Sequence, residues 1–205
     1  MIAQKLRGFV GQGMSGGRKS VTPYVYSYPP GSYTFTVPKN GWYRFFVLGS
    51  GGSGLVAGTA GGSGALVVGE RALTKGQAVA VVVGAGETPN NNGNQTTVTF
   101  PDGSVMTAGG GVAGNTGGAG GAASSTSNLD RPYNGSAAGS AGGGTNGGAS
   151  GAGLGGGSPG YEGFRGGNGG TATLLAQRGG GGFTTTAFAT SGDGEVLIHQ
   201  IRIRP

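Results

Sequence analysis

Glycine returns at every third position in two parts of this chain: at Gly111, Gly114, Gly117 and Gly120, and again at Gly160, Gly163, Gly166 and Gly169 in the stretch GYEGFRGGNGG. A backbone with three residues per turn rises about 3.1 Å per residue, so ten residues make a rod of roughly 30 Å. Such a helix makes no hydrogen bonds within itself. If it is buried, its N–H and C=O groups must find partners on neighbouring rods. Rods that approach closely enough to bond backbone to backbone need faces without a Cβ, and glycine at every third position supplies them. Low-complexity glycine is more often linker, because each ordered glycine forfeits the most backbone entropy. The spacing here predicts instead a bundle of polyglycine-II rods, with Tyr161, Phe164 and Arg165 pointing away from the shared faces or lying near a rod end. Collagen repeats at three as well, but needs a long strict Gly-X-Y register rich in proline. In this chain the phase breaks after about four triplets, and only Pro132 and Pro159 lie inside the glycine-rich part, which excludes it.

The glycines are concentrated: of 53 in 205 residues, 32 fall between positions 109 and 194. Around that insert the sequence reads as β. SYTFTVP alternates, GWYRFFVLG is aromatic and β-branched, and GALVVGERAL, QAVAVVVGAG and GEVLIHQIRIR continue the style. TVTFPDGSVMTA reads as a hairpin turning at Pro101-Asp102-Gly103. No segment shows a helical apolar face with start and stop signals. The expected fold is mainly β: a small β-sandwich of about seven strands over 32–108 plus 195–205, with an inserted polyglycine-II bundle over 109–194. Residues 1–31 read as an extended N-terminal arm, aperiodic in GQGMSGGRKS and proline-extended in VTPYVYSYPP.

Charge separates the same parts. The net charge is +6, with Lys5, Arg7, Arg18 and Lys19 near the start and Arg202 and Arg204 at the end. Within 109–194, Arg131, Arg165 and Arg178 balance Asp130, Glu162 and Asp193. The basic arm reads as solvated or partner-facing rather than as a nucleic-acid site. Cysteine is absent, which rules out disulfides and thiolate metal sites. MIAQKLRGFVGQG has no apolar core of a signal peptide, and the longest apolar runs, such as VAVVV, are strand-sized. The expectation is a chain made and assembled in a cytoplasm, without membrane insertion.

Motifs of catalysis and cofactor binding are weak. GAGLGG (151–156) satisfies G-x-G-x-x-G but lacks the preceding strand, the following helix and the distal acid of a dinucleotide fingerprint. GMSGG (13–17) mimics a nucleophile elbow without strand–turn–helix context, and the chain has a single histidine to serve as base. That residue, His199, shares a strand face with Leu197, Ile201 and Ile203, opposite Ile198, Gln200 and Arg202, and reads as a core or interface group. Asp193 and Glu195 read as turn chemistry in SGDGE before they read as ligands of a hard cation. FRGGNGG and QRGGGGF resemble RGG boxes, but two copies in a neutral insert make little case for RNA. No enzyme activity, metal, cofactor or nucleic acid is expected.

The bulky residues of the insert cluster where the glycine period fails, in NLDRPYN (128–134), SPGYEGFR (158–165) and GGFTTTAF (181–188). Exposed aromatic and arginine side chains on turns are common binding hot spots. They serve equally well as plugs of a bundle end or as contacts with a neighbouring subunit.

FTVPKNGWYRFFVLGSGGSG, GGSGALVVGERALTKGQAVAVVVGAGE and the closing GDGEVLIHQIRI together resemble the glycine-rich domain of phage tail-fibre and tail-tip proteins. A more distant likeness is to the glycine-rich extracellular domain of anaplastic-lymphoma-kinase-type receptors. The resemblance covers roughly residues 32–203. It implies a sandwich carrying polyglycine-II rods whose distal loops bind a host outer-membrane receptor, protein or glycan. On that implication the receptor contacts are Leu129, Arg131, Tyr133, Tyr161, Phe164, Arg165 and Phe183. Attachment to other virion proteins falls to Lys5, Leu6, Arg7, Phe9, Arg18 and Lys19 of the arm. The alternative is a decoration, head-fibre or tail-tip protein that binds no receptor, and a homo-oligomer is compatible with either.

Overall fold

The computed structural model describes residues 5–6, 25–53, 61–86, 91–113, 121–128, 130–133 and 191–203. These residues are mainly β, in two antiparallel sheets, with no helix among them. The strands are β1 (Lys5–Leu6), β2 (Val25–Tyr28), β3 (Gly31–Thr36), β4 (Gly41–Leu48), β5 (Leu66–Leu73), β6 (Ala78–Val83), β7 (Thr96–Thr99), β8 (Val105–Ala108), β9 (Ala123–Ser125), β10 (Arg131–Tyr133) and β11 (Glu195–Ile203). One sheet runs in the order β1-β2-β11-β4-β5-β10, the other β3-β6-β7-β8-β9.

Alternation explains which side of each strand is covered. In AVAVVV of β6, Val79, Val81 and Val83 are buried while their neighbours face out. Tyr43, Phe45 and Val47 of β4, Val196 and Ile198 of β11, and Phe35 of β3 meet them between the sheets. The centre is aromatic: the ring of Phe45 stands edge-on to Phe100 at 4.8 Å and 88°, and Phe35 meets Tyr43 at 5.7 Å. Each such side chain, fully buried, contributes about 1.5–3 kcal/mol, so this core supplies the main driving force. The outer face of the first sheet carries a second buried cluster of Phe46, Leu48, Leu66 and Val68, with Leu197 against it.

The hairpin expected at 96–108 is present. Gly103 sits at φ 82°, a left-handed position that glycine takes without strain, and donates to Phe100 O at 2.9 Å. Asp102 Oδ1 accepts from the N–H and the hydroxyl of Ser104, and these bonds hold the carboxyl below its usual pKa.

Four strands lie beyond the seven read from sequence: β1, β2, β9 and β10. Each has four residues or fewer and is fixed by a partner strand rather than by its own pattern. The stretch expected as an extended arm over 1–31 ends inside the sandwich. Its Tyr28 is a core residue on β2, paired with Val196 of β11. Burial, and secondarily Tyr26, pushes the Tyr28 phenol up to about 12. Lys5 and Leu6 return to pair with Tyr26 and Val25 at the sheet edge. On β11 the expected alternation holds through Gln200. A bulge between Gln200 and Arg202 then changes the parity, so that Arg202 pairs with Trp42.

Candidate functional site

Among the described residues, the glycine-rich connections all leave the sandwich from one end. Segments 49–53, 84–86 and 109–113 run outward from β4, β6 and β8, and 61–65, 91–94, 121–122 and 191–194 run back into β5, β7, β9 and β11. None is a strand, yet they are joined backbone to backbone.

The pattern of those bonds has a period of three. Along 49–53, Gly49 and Gly52 donate to Ala65 and Gly62, each at 2.9 Å. Ser50 and Ser53 donate to Asn94 and Asn91, each at 3.1 Å, and Gly51 donates to Gly192 at 2.9 Å. Successive N–H groups thus address three different neighbours, and the fourth returns to the first. The next segment repeats the rule, with Gly62 and Ala65 donating to Val112 and Gly109 at 3.0 and 2.9 Å. A chain with three residues per turn has this property; a flat ribbon with alternating donors does not.

Glycine makes the spacing attainable. A Cβ built on Gly64 would stand 2.0 Å from Gly49 O, and one on Gly110 would stand 2.0 Å from Gly93 O. The serines add a side-chain lock at the same period. Ser50 Oγ donates to Asn94 O at 3.2 Å and accepts from Asn94 N at 2.6 Å. Ser53 Oγ does the same to Asn91, at 3.0 and 2.9 Å. Both serines are fully buried. Because 49–53 and 61–65 continue β4 and β5 of the first sheet and 91–94 and 109–113 continue β7 and β8 of the second, this lattice ties the two sheets together at their common end.

The reading from sequence placed its glycine rods in 109–194 alone and did not single out the backbone-bonded segments 49–53, 61–65 and 91–94. A signal was there: Gly49 with Gly52, Gly61 with Gly64, Ser50 with Ser53 and Asn91 with Asn94 are each three apart. These runs were too short to register as a period. The triplets at 114–120 and 160–169 lie outside the described residues.

Of the expected receptor contacts, Leu129, Tyr161, Phe164, Arg165 and Phe183 lie outside the described residues. Arg131 and Tyr133 are placed on β10, the edge strand of the first sheet, opposite Val68 and Leu66 of β5, rather than on a turn. Arg131 and Pro132 are exposed. What holds β10 there is the residue before it. Asp130 accepts two bonds from the Arg71 guanidinium, each at 2.6 Å, and a third from Ser125 Oγ. The Asp130 side chain is fully buried, that of Arg71 is 10% exposed, and the guanidinium lies over the Phe100 ring at 4.5 Å. Gly69 leaves the space: a Cβ there would fall 1.9 Å from Asp130 Oδ1.

Of the expected attachment residues, Lys5 and Leu6 form β1, while Arg7, Phe9, Arg18 and Lys19 lie outside the described residues. His199 is half-buried on the outer face of the first sheet, its ring 5.2 Å from that of Phe46. Burial, and then the nearby Arg44 charge, hold its pKa below the usual 6.5. Arg44 is itself paired with Glu70, its Nε 2.8 Å from Oε1. Asp193 Oδ1 accepts from Gly86 N at 2.7 Å, a bond to a segment 107 residues away rather than one within the SGDGE turn. Glu195, also expected to serve the turn, instead lies buried on β11, where it accepts from Ser27 Oγ at 2.8 Å. Among the described residues no three His, Asp or Glu side chains gather as metal ligands would.

No protein-family model matches this chain, and no curated protein matches it.

Proposed function

We propose that the protein is a non-enzymatic phage virion component, a tail-fibre or tail-tip adhesin in which polyglycine-II rods rooted on a β-sandwich present loops to a host surface receptor. The observation that carries this reading is the period-three bonding of 49–53 to three neighbouring segments. It is the bonding rule of a polyglycine-II bundle, and it begins where the insert leaves and rejoins the sandwich, at 109–113 and 191–194. In this reading the glycine triplets at 114–120 and 160–169 extend the same lattice. Rigid rods hold the loops before contact, which lowers the ordering cost of binding.

The test is adsorption. Purified protein in excess competes with particles for host cells, and particles carrying Tyr133, Tyr161 and Phe164 all as alanine assemble but do not adsorb. Normal adsorption by those particles rejects the adhesin reading. One observation favours the second reading, a structural protein without receptor binding: Arg131 and Tyr133 belong to a strand clamped by a buried ion pair, a setting suited to a subunit contact. Under that reading the triple variant fails to assemble.

A further inference from the structure

Asn92 and Gly93 form an Asn-Gly step within the returning segment 91–94, and the two groups that could react with each other are both held by 109–113. Asn92 Oδ1 accepts from Ala113 N at 2.8 Å, and Gly93 N donates to Gly111 O at 2.7 Å. In an Asn-Gly step the glycine nitrogen attacks the side-chain carbonyl carbon, unhindered because glycine has no Cβ. A new N–C bond closes a five-membered succinimide as the C–NH₂ bond breaks and ammonia departs with the proton from the glycine nitrogen. Water then opens the ring at one carbonyl or the other, leaving aspartate or isoaspartate. For Asn92 the attack requires Gly93 N–H to leave Gly111 O and the Asn92 amide to leave Ala113 N.

We propose that Asn92–Gly93 is a self-modification site gated by the lattice, silent while 91–94 and 109–113 are paired and reactive in any chain where they part. Asn92 is exposed, so water and base reach it in either state, and the gate is the backbone pairing alone. The two products differ in consequence. Aspartate keeps an oxygen for Ala113 N. Isoaspartate routes the main chain through the side-chain carbon and adds one backbone atom between residues 92 and 93. Asn91 and Asn94 are clamped by Ser53 and Ser50 at a fixed three-residue spacing, and an added atom between them prevents both clamps from closing. A chain that stays open long enough is therefore excluded permanently from the closed lattice. This inference rests on the described lattice and is independent of whether the protein binds a receptor.

The experiment follows deamidation by peptide mapping of the full chain in mildly alkaline buffer, folded and in denaturant. The unfolded chain's own Asn40–Gly41, Asn134–Gly135, Asn146–Gly147 and Asn168–Gly169 steps serve as references of the same chemistry. Asn92 in the folded protein reacts about a hundredfold more slowly than in denaturant, which at tenfold per 1.4 kcal/mol is a local opening free energy of about 3 kcal/mol. Ser50→Ala, which loosens the clamp on Asn94, raises the folded-state rate at Asn92 about tenfold and leaves Asn40 unchanged. Asn92→Asp folds and melts as the wild type does, whereas purified isoaspartate-92 chain does not refold to it. A folded-state rate within about threefold of the denatured rate overturns the gate even if Ser50→Ala does not fold. Refolding of the isoaspartate chain to wild-type stability overturns the exclusion.

Discussion

Replacing Gly64 by alanine sets a methyl carbon against the backbone of the neighbouring segment. The added Cβ stands 2.0 Å from Gly49 O, 2.5 Å from Gly49 C and 2.8 Å from Ser50 O, where ordinary contact begins at 3.4 Å. All three atoms are main chain, so no side chain can turn aside, and 61–65 must move away by about 1.4 Å (3.4 less 2.0). That motion carries the Gly49 N–Ala65 O and Gly52 N–Gly62 O bonds, each 2.9 Å, out of hydrogen-bond range. Two lost bonds cost about 1 kcal/mol each, and residual overpacking about 1–3 kcal/mol. The smaller entropy of the unfolded alanine chain offsets about 0.4–1 kcal/mol. The net loss is about 2–5 kcal/mol, a shift of about 1–2 M in the urea midpoint. Gly103→Ala is the control. Nothing lies within 4 Å of its Cβ, so only the positive φ is penalised, at about 1–2 kcal/mol. Urea unfolding gives the two losses, and hydrogen exchange locates them: the amides of Gly49 and Gly52 lose protection in Gly64→Ala and keep it in Gly103→Ala. A Gly64→Ala midpoint equal to wild type would refute the close-packed lattice.

Asp130→Ala leaves the buried Arg71 guanidinium without its bidentate acceptor and destabilises by about 3–5 kcal/mol, while the double change Arg71→Met with Asp130→Leu loses much less; chemical denaturation of both separates a buried-charge penalty from simple loss of packing. His199 has a folded-state pKa below its unfolded 6.5, so the unfolded chain binds the proton more tightly. Its contribution to stability is complete above pH 6.5 and is lost as pH falls through the folded value, and His199→Phe removes that part of the acid slope in a pH series of unfolding free energies. Removing residues 1–23 spares β2 and leaves the sandwich folded; on the proposed virion reading the shortened chain no longer joins particles, and wild-type incorporation weakens at high salt. Removing 1–28 takes away Tyr28 and the β2–β11 pairing, and the near-ultraviolet circular dichroism of the aromatic core is lost with them.

Much of the sandwich was legible in the sequence because its signals are local. The alternation of AVAVVV needs only a pleated backbone with one covered side, and Pro101-Asp102-Gly103 needs only a tight turn with a left-handed glycine. Seven strands, and the lack of helices among the described residues, follow from such patterns. The short strands do not: ASS and RPY carry no period, and they are strands because Met106 and Val68 lie opposite them with backbone groups to bond. The clamp on Arg131 and Tyr133 was equally hidden, since Arg71 and Asp130 are 59 residues apart and nothing in either neighbourhood names the other. The glycine lattice divides the same way. A period of three was read from sequence at 111–120 and 160–169, almost all outside the described residues, while the single three-residue spacings at 49–53, 61–64 and 91–94 repeat too few times to stand out. Which segments pair, and in what register, was decided only by the tertiary structure. The backbone N–H groups of GSGGS bond to other segments, so nothing within it prefers one neighbour over another until two sheets hold Asn91, Asn94 and Gly192 beside it.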